Sequence, residues 1–89
     1  MVTVKRIVLD VLKPHEPNSL EFSKAIANIG VSYRVSLTVL EMDKKTETLQ
    51  IAIDGDAIDY DAVHSTINEM GGSVHSIDEV EVLNDGSVS

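Results

Sequence analysis

Apolar and polar residues alternate over Val4–Leu12, with Ile7, Leu9 and Val11 on one face and Arg6, Val8, Asp10 and Leu12 on the other, which predicts a strand. Pro14 and Pro17 end it, because proline cannot donate to a ladder. From Asn18 or Ser19 to Ile29, Phe22, Ala25, Ile26 and Ile29 fall at i, i+3, i+4, i+7, one face of a helix that Gly30 is placed to close as the C′ residue. Tyr33, Val35, Leu37 and Val39 then alternate with Arg34, Ser36, Thr38 and Leu40 in a second strand that runs to about Met42. A polar turn, Asp43-Lys44-Lys45, leads into a third strand over Thr46–Ile53 with Leu49, Ile51 and Ile53 on one face. Asp59 is placed to cap a second helix whose stripe is Tyr60, Val63, Ile67 and Met70, and Gly71-Gly72 stops it. In the last strand, Ser73–Leu83, Val74, Val80 and Val82 share a parity that Ile77 breaks, which predicts a bulge near Ile77–Asp78.

The order βαββαβ, right-handed crossovers and the short hairpin leave few topologies. The commonest is an α+β ferredoxin-like sandwich: a four-stranded antiparallel sheet of order 4-1-3-2 with both helices on one face. We expect one such domain over residues 1–84, with 85–89 as a frayed tail. The end of strand one, the start of helix one, the hairpin turn and the start of strand four then meet at one end, the top. The end of strand three, the start of helix two and the end of strand four meet at the bottom.

Composition narrows the possible functions more than it suggests any. Seven Lys and Arg against fifteen Asp and Glu give a net charge of −8. All seven bases lie in residues 1–45, and residues 46–89 carry ten acids and no base. This opposes binding to nucleic-acid phosphates and to anionic membrane surfaces. One Phe, two Tyr and no Trp leave few bases-stacking platforms. No apolar run nears the ~20 residues of a spanning helix, and the first thirteen residues, interrupted by Lys5, Arg6 and Asp10, do not read as a signal peptide. The absence of cysteine excludes disulfides, thiolate metal sites and cysteine catalysis, and suits a reducing cytoplasmic setting.

Two clusters carry candidate chemistry. At the top, Asp10, Lys13, His15, Glu16 and His75 can approach one another, and imidazole with carboxylate is metal-binding or proton-transfer chemistry. The bland alternative has Glu16 complementing the helix dipole and His75 half-exposed on its strand. At the bottom, Asp54, Asp56, Asp59 and Asp61 fall within eight residues, hard oxygen ligands suited to Ca²⁺ or Mg²⁺, although the spacing is not that of an EF-hand. Turn and cap roles account for the same acids. His64 borders the buried stripe of helix two and reads as a packing or surface histidine rather than a ligand. The outer sheet face mixes Val8, Leu12 and Leu40 with polar residues, a surface fit for a subunit or ligand contact.

Leu9-Asp10-Val11-Leu12-Lys13-Pro14-His15-Glu16-Pro17, and Gly71-Gly72 followed by His75-Ser76-Ile77-Asp78-Glu79-Val80, resemble the archaeal family called domain of unknown function 211 over nearly the whole chain. The resemblance implies a ferredoxin-like fold, an archaeal cytoplasmic setting, ring-like homo-oligomers and no established activity. It also groups Asp10, Lys13, His15, Glu16, His75 and Asp78 as candidate ligand-binding residues at or near the top. Asn28-Ile29-Gly30 departs from the more acidic stretch such a resemblance leads one to expect.

The leading expectation is a non-enzymatic homo-oligomer that binds a divalent cation, Ca²⁺ or Mg²⁺, or a small ligand, with a regulatory role. Its interface residues would be Arg34 on one sheet edge and Asp78, Glu79 and Glu81 on the other, since opposite charges would meet when copies add edge to edge. Two alternatives stand beside it: a metal-assisted enzyme using Asp10, His15, Glu16 and His75, and a purely structural assembly subunit.

Overall fold

A computed structural model describes residues 1–86. Its elements are β1 (Val2–Pro14), α1 (Ser19–Ala27), β2 (Arg34–Met42), β3 (Thr46–Asp54), α2 (Tyr60–Glu69) and β4 (Ser73–Asn84), in the expected order. The sheet is antiparallel with order β2-β3-β1-β4, and the two helices pack on one face, a ferredoxin-like α+β fold.

The core follows strand parity. Ile7, Leu9 and Val11 of β1 and Leu49, Ile51 and Ile53 of β3 are buried against Phe22 and Ile26 of α1 and Val63 and Ile67 of α2. Asn18 caps α1 by accepting from the Glu21 N–H at 2.9 Å, and Asp59 caps α2 by accepting from the Ala62 N–H at 3.1 Å. Gly71, at φ +86°, closes α2 in a Schellman arrangement: its N–H donates to the Asn68 carbonyl at 3.0 Å and that of Gly72 to Ile67 at 2.9 Å.

Helix α1 departs from expectation. It stops at Ala27 with Asn28 as C-cap, two residues short of Ile29, and Gly30 is not in the left-handed region. Gly30 is instead a close approach, since a Cβ there would lie 2.6 Å from Cε1 of the Tyr33 ring.

Strand β4 carries the expected bulge at Asp78 and a second at His75. Leu9 and Val8 of β1 oppose Ile77 and Glu79, and Val11 and Asp10 oppose Val74 and Ser76. Each extra residue reverses parity, so the pair brings Val74, Ile77 and Val80 onto the helix-side face together. At the bottom β1 and β4 continue as a two-stranded ribbon, Val2–Val4 against Val82–Asn84, below the first β3 partner of β1 at Arg6. The ribbon gives the molecule its long axis of 51 Å against 22 and 17 Å. Asp85, first residue of the expected tail, donates its N–H to the Met1 carbonyl at 3.3 Å; residues 87–89 of that tail lie outside the described residues.

Candidate functional site

At the top, core parity continues past the last apolar residue of each central strand. Lys13 follows Ile7, Leu9 and Val11, and Glu47 precedes Leu49, Ile51 and Ile53; the β1–β3 register sets the two directly opposite one another. Both side chains therefore turn inward, and Lys13 is 1% exposed and Glu47 7%. Such burial requires partners for every charge. Lys13 Nζ donates to the carbonyls of Pro14 at 2.9 Å and Pro17 at 2.8 Å, with the His15 carbonyl at 3.4 Å. Glu47 Oε1 lies 3.2 Å from the same ammonium: it feels the charge, but no donor aligns on it as a hydrogen bond. The Phe22 ring lies beneath, its centroid 5.8 Å from Nζ.

His15 joins this pair to the hairpin turn. Its Nδ1 is 2.8 Å from Glu47 Oε2, and its Nε2 is 2.9 Å from both the Asp43 and Lys44 carbonyls. Every one of those partners is an acceptor. A neutral imidazole has one N–H, so only the imidazolium satisfies both sides. In agreement, the hydrogen bond to Glu47, then the one to the Lys44 carbonyl, raise the His15 pKa above its ordinary 6.5. The hydrogen bond from His15 holds Glu47 below its ordinary 4.5 in spite of burial. Lys13, His15 and Glu47 thus form a charged clamp that ties the β1–α1 loop to the β2–β3 turn.

A pH window follows. A raised His15 pKa stabilises the fold fully below 6.5, and this is lost as pH rises through the higher folded-state value. A lowered Glu47 pKa stabilises above 4.5, and this is lost as pH falls through the lower folded-state value. The clamp's contribution is therefore greatest between about 4.5 and 6.5. Urea midpoints measured from pH 4 to 9 should fall on the alkaline side of that window, and His15→Gln should flatten the fall. A wild-type profile unchanged by His15→Gln would exclude the imidazolium clamp.

Two of the six top candidates, Lys13 and His15, come together. Asp10 lies on the opposite sheet face, across from Gln50 and Ser76. Glu16 is exposed, His75 sits in its bulge on the β4 edge, and Asp78 accepts from the Ser76 hydroxyl at 2.6 Å. Glu47 was not among the sequence candidates, although its place in the Leu49-Ile51-Ile53 parity could have revealed it. Three of the four bottom acids have separate partners, and the side chain of the fourth has none among the described residues. Asp54 accepts twice from Arg6 Nη1, at 3.0 and 2.8 Å; Asp59 caps α2; Asp56 offers its carbonyl to Lys5 Nζ at 2.8 Å; Asp61 is an exposed first-turn acid. Among the described residues no three of His, Asp and Glu gather as a cation requires, and no cavity opens. His64 packs on helix α2, its ring 5.9 Å from that of Tyr60 and its Nδ1 3.2 Å from the Asn68 amide.

The outer face holds a second arrangement of charge. Arg34 of β2 pairs in register with Asp54 of β3, Asp54 with Arg6 of β1, and Arg6 with Glu81 of β4. The row alternates in sign from one edge of the sheet to the other. Arg6 binds Asp54 and also donates through Nε to Glu79 at 2.9 Å, bonds that raise its own pKa, Asp54 the more strongly. The side chains of Arg34 and Glu81, at the two ends, make no hydrogen bond or ion pair among the described residues.

Residues 5–85 match the family described as uncharacterized ArCR, domain of unknown function 211. The chain belongs to this family. It is also 42% identical over 77 residues to Uncharacterized protein MJ0319 of Methanocaldococcus jannaschii, a match that covers 86% of this chain and 79% of that protein. The region shared with domain of unknown function 211 contains the Lys13–His15–Glu47 clamp and the whole charge row. No helix among the described residues is long and apolar enough to cross a membrane.

Proposed function

We propose that this protein is a self-assembling module whose copies join edge to edge, β4 of one against β2 of the next. The observation that carries this reading is the Arg34–Asp54–Arg6–Glu81 row, which ends in a cation on one edge strand and an anion on the other, neither with an ion-pair partner among the described residues. Both edges also expose apolar side chains: Ile77, Val80 and Val82 on β4, and Val39, Leu40 and Met42 on β2. Open edges of this kind are templates for strand addition unless they are blunted. A head-to-tail contact is heterologous, so it gives a ring if the rotation closes and a filament if it does not. Of the two parts of the sequence-based expectation, assembly and the binding of a cation or small ligand, geometry favours the first. The buried clamp at the top serves it by fixing the β2–β3 turn and hence the β2 edge, since both ring nitrogens of His15 are committed to protein acceptors.

Native mass spectrometry and light scattering at micromolar concentration should show a multimer. Arg34→Glu places like charges at every seam; with opposed pairs worth roughly 0.2–1 kcal/mol each way, the seam should weaken up to about thirtyfold. Adding Glu81→Arg should restore assembly. A monomeric wild-type protein would sink the proposal.

A further inference from the structure

The geometry points to one register for that seam: antiparallel, with Glu81 of one copy directly opposite Arg34 of the next, so that the four-residue charge row continues unbroken across the boundary. This rests on the assembly reading above and adds to it the direction, the face and the partner of each residue.

Direction follows from the strand order. In β2-β3-β1-β4 every neighbour is antiparallel, so β2 runs with β1 and β4 runs against both. A second copy set beside β4 in the same orientation presents its β2 antiparallel to β4. Helices then stay on one side of the continuous sheet.

Face is set by parity. A slip of one residue would turn the apolar side chains of one strand to the wrong side, so only slips that preserve parity are open. Arg34 shares the outer face with Arg6, as do Glu79 and Glu81, through the paired positions Arg34–Asp54, Arg6–Asp54, Arg6–Glu81 and Val8–Glu79. Val35 and Leu37 share the helix-side face with Ile53 and Ile51, and Val80 and Ile77 share it with Ile7 and Leu9.

Setting Arg34 against Glu81 then places Val35 against Val80 and, past the Asp78 bulge, Leu37 against Ile77. Val80 and Ile77, 53% and 47% exposed in the single chain, thereby gain apolar partners. The register chosen by charge is also one that covers the apolar row, and the two criteria are independent. The neighbouring registers fail one or the other. With Arg34 opposite Glu79, that carboxylate would be shared with Arg6, which already holds it at 2.9 Å, and Val80 would fall opposite Tyr33, before β2 begins, rather than opposite a strand residue. With Arg34 opposite Leu83, neither unpaired charge would meet its complement.

The chain has no cysteine, so engineered pairs can read the register on a clean background. Opposed residues on antiparallel strands have Cβ atoms about 4.5–5.5 Å apart, close to disulfide reach. Within one copy β2 and β4 are three strand spacings apart, about 14 Å, so a bond between them must join two copies. Val35→Cys/Val80→Cys keeps Arg34 and Glu81 and tests the register. Val35→Cys/Ile77→Cys and Val35→Cys/Val82→Cys test its neighbours. Each is oxidised with copper-phenanthroline at a concentration where native mass spectrometry has shown the wild-type multimer. We expect a ladder of linked chains on non-reducing gels for the Val35/Val80 pair, at least tenfold above either control. A stronger ladder from a control pair would overturn the register and leave assembly standing. An assembled protein in which none of the three pairs links would place the contact away from these edges and overturn the seam itself. A wild-type chain that stays monomeric would instead overturn the assembly reading on which the register rests.

Discussion

Lys13→Met should cost about 3–5 kcal/mol of folding stability, the loss measured when one member of a buried ion pair is removed. The methionine keeps most of the apolar stem of a side chain that is fully buried, so the loss isolates the ammonium. Glu47 Oε1 would then be left without its cationic neighbour at 3.2 Å, and the Pro14 and Pro17 carbonyls would lose their shared donor. A domain of this length has roughly 4–13 kcal/mol in hand, so the variant sits near the edge of folding. At about 4–8 °C for each kcal/mol, its Tm should fall by well over 10 °C. Lys13→Met/Glu47→Leu removes the stranded carboxylate as well and should recover part of the loss, ranking between the single variant and wild type. Urea unfolding at pH 6, where His15 holds its proton, makes the comparison; a loss below 1 kcal/mol for Lys13→Met would show that the pair contributes nothing net.

The same two residues show how far the sequence could be read. Alternation placed Ile7, Leu9, Val11, Leu49, Ile51 and Ile53 on the core face, and helical spacing placed Phe22, Ile26, Val63 and Ile67 against them, because in this small sandwich burial and period coincide. Parity carried one step further puts Lys13 and Glu47 on that face too. A charge at an inward position reads as the end of a strand, however, and only the β1–β3 register reveals that each meets its complement. The position of His15 was legible as chemistry but not as geometry: the partners of its Nε2 are two backbone carbonyls at the hairpin turn, and carbonyls have no residue signature. Asp10 was grouped with the top cluster by closeness in sequence, whereas its parity with Arg6 and Val8 sends it through the sheet to the other face. Acid density misled at the bottom in a similar way. Asp54, Asp56 and Asp59 are close along the chain, and each is drawn to a different donor. The second bulge at His75 had a signal that one bulge does not absorb: Val74 and Ile77 are an odd number of residues apart, so a single bulge at Asp78 would leave them on opposite faces.

Phe22→Ala should be the other severe loss, about 3–5 kcal/mol, and its mechanism is packing rather than charge. Phe22 is the largest fully buried apolar side chain, and it fills the space under the Lys13 ammonium. Its far edge helps confine another residue: a Cβ on Gly72 would lie 2.9 Å from Ile67 Cγ2 and 3.1 Å from Phe22 Cζ, so Ile67 first, and the ring beside it, favour glycine where α2 turns into β4. Truncation therefore opens a cavity between the two helices and beneath the clamp at once. Phe22→Leu restores much of the volume without the ring face and should lose less, about 1–2 kcal/mol. Combining either change with Lys13→Met tests whether ring and ammonium act together. Residues in contact couple by about 0.5–3 kcal/mol, so the double variant's loss should differ from the sum of the singles by at least the lower figure. Strict additivity in urea unfolding would mean that the ring supports the core without supporting the clamp. The coupling decides whether burial of Lys13 is a local matter of carbonyls and Glu47, or part of the same packing that holds α1 on the sheet.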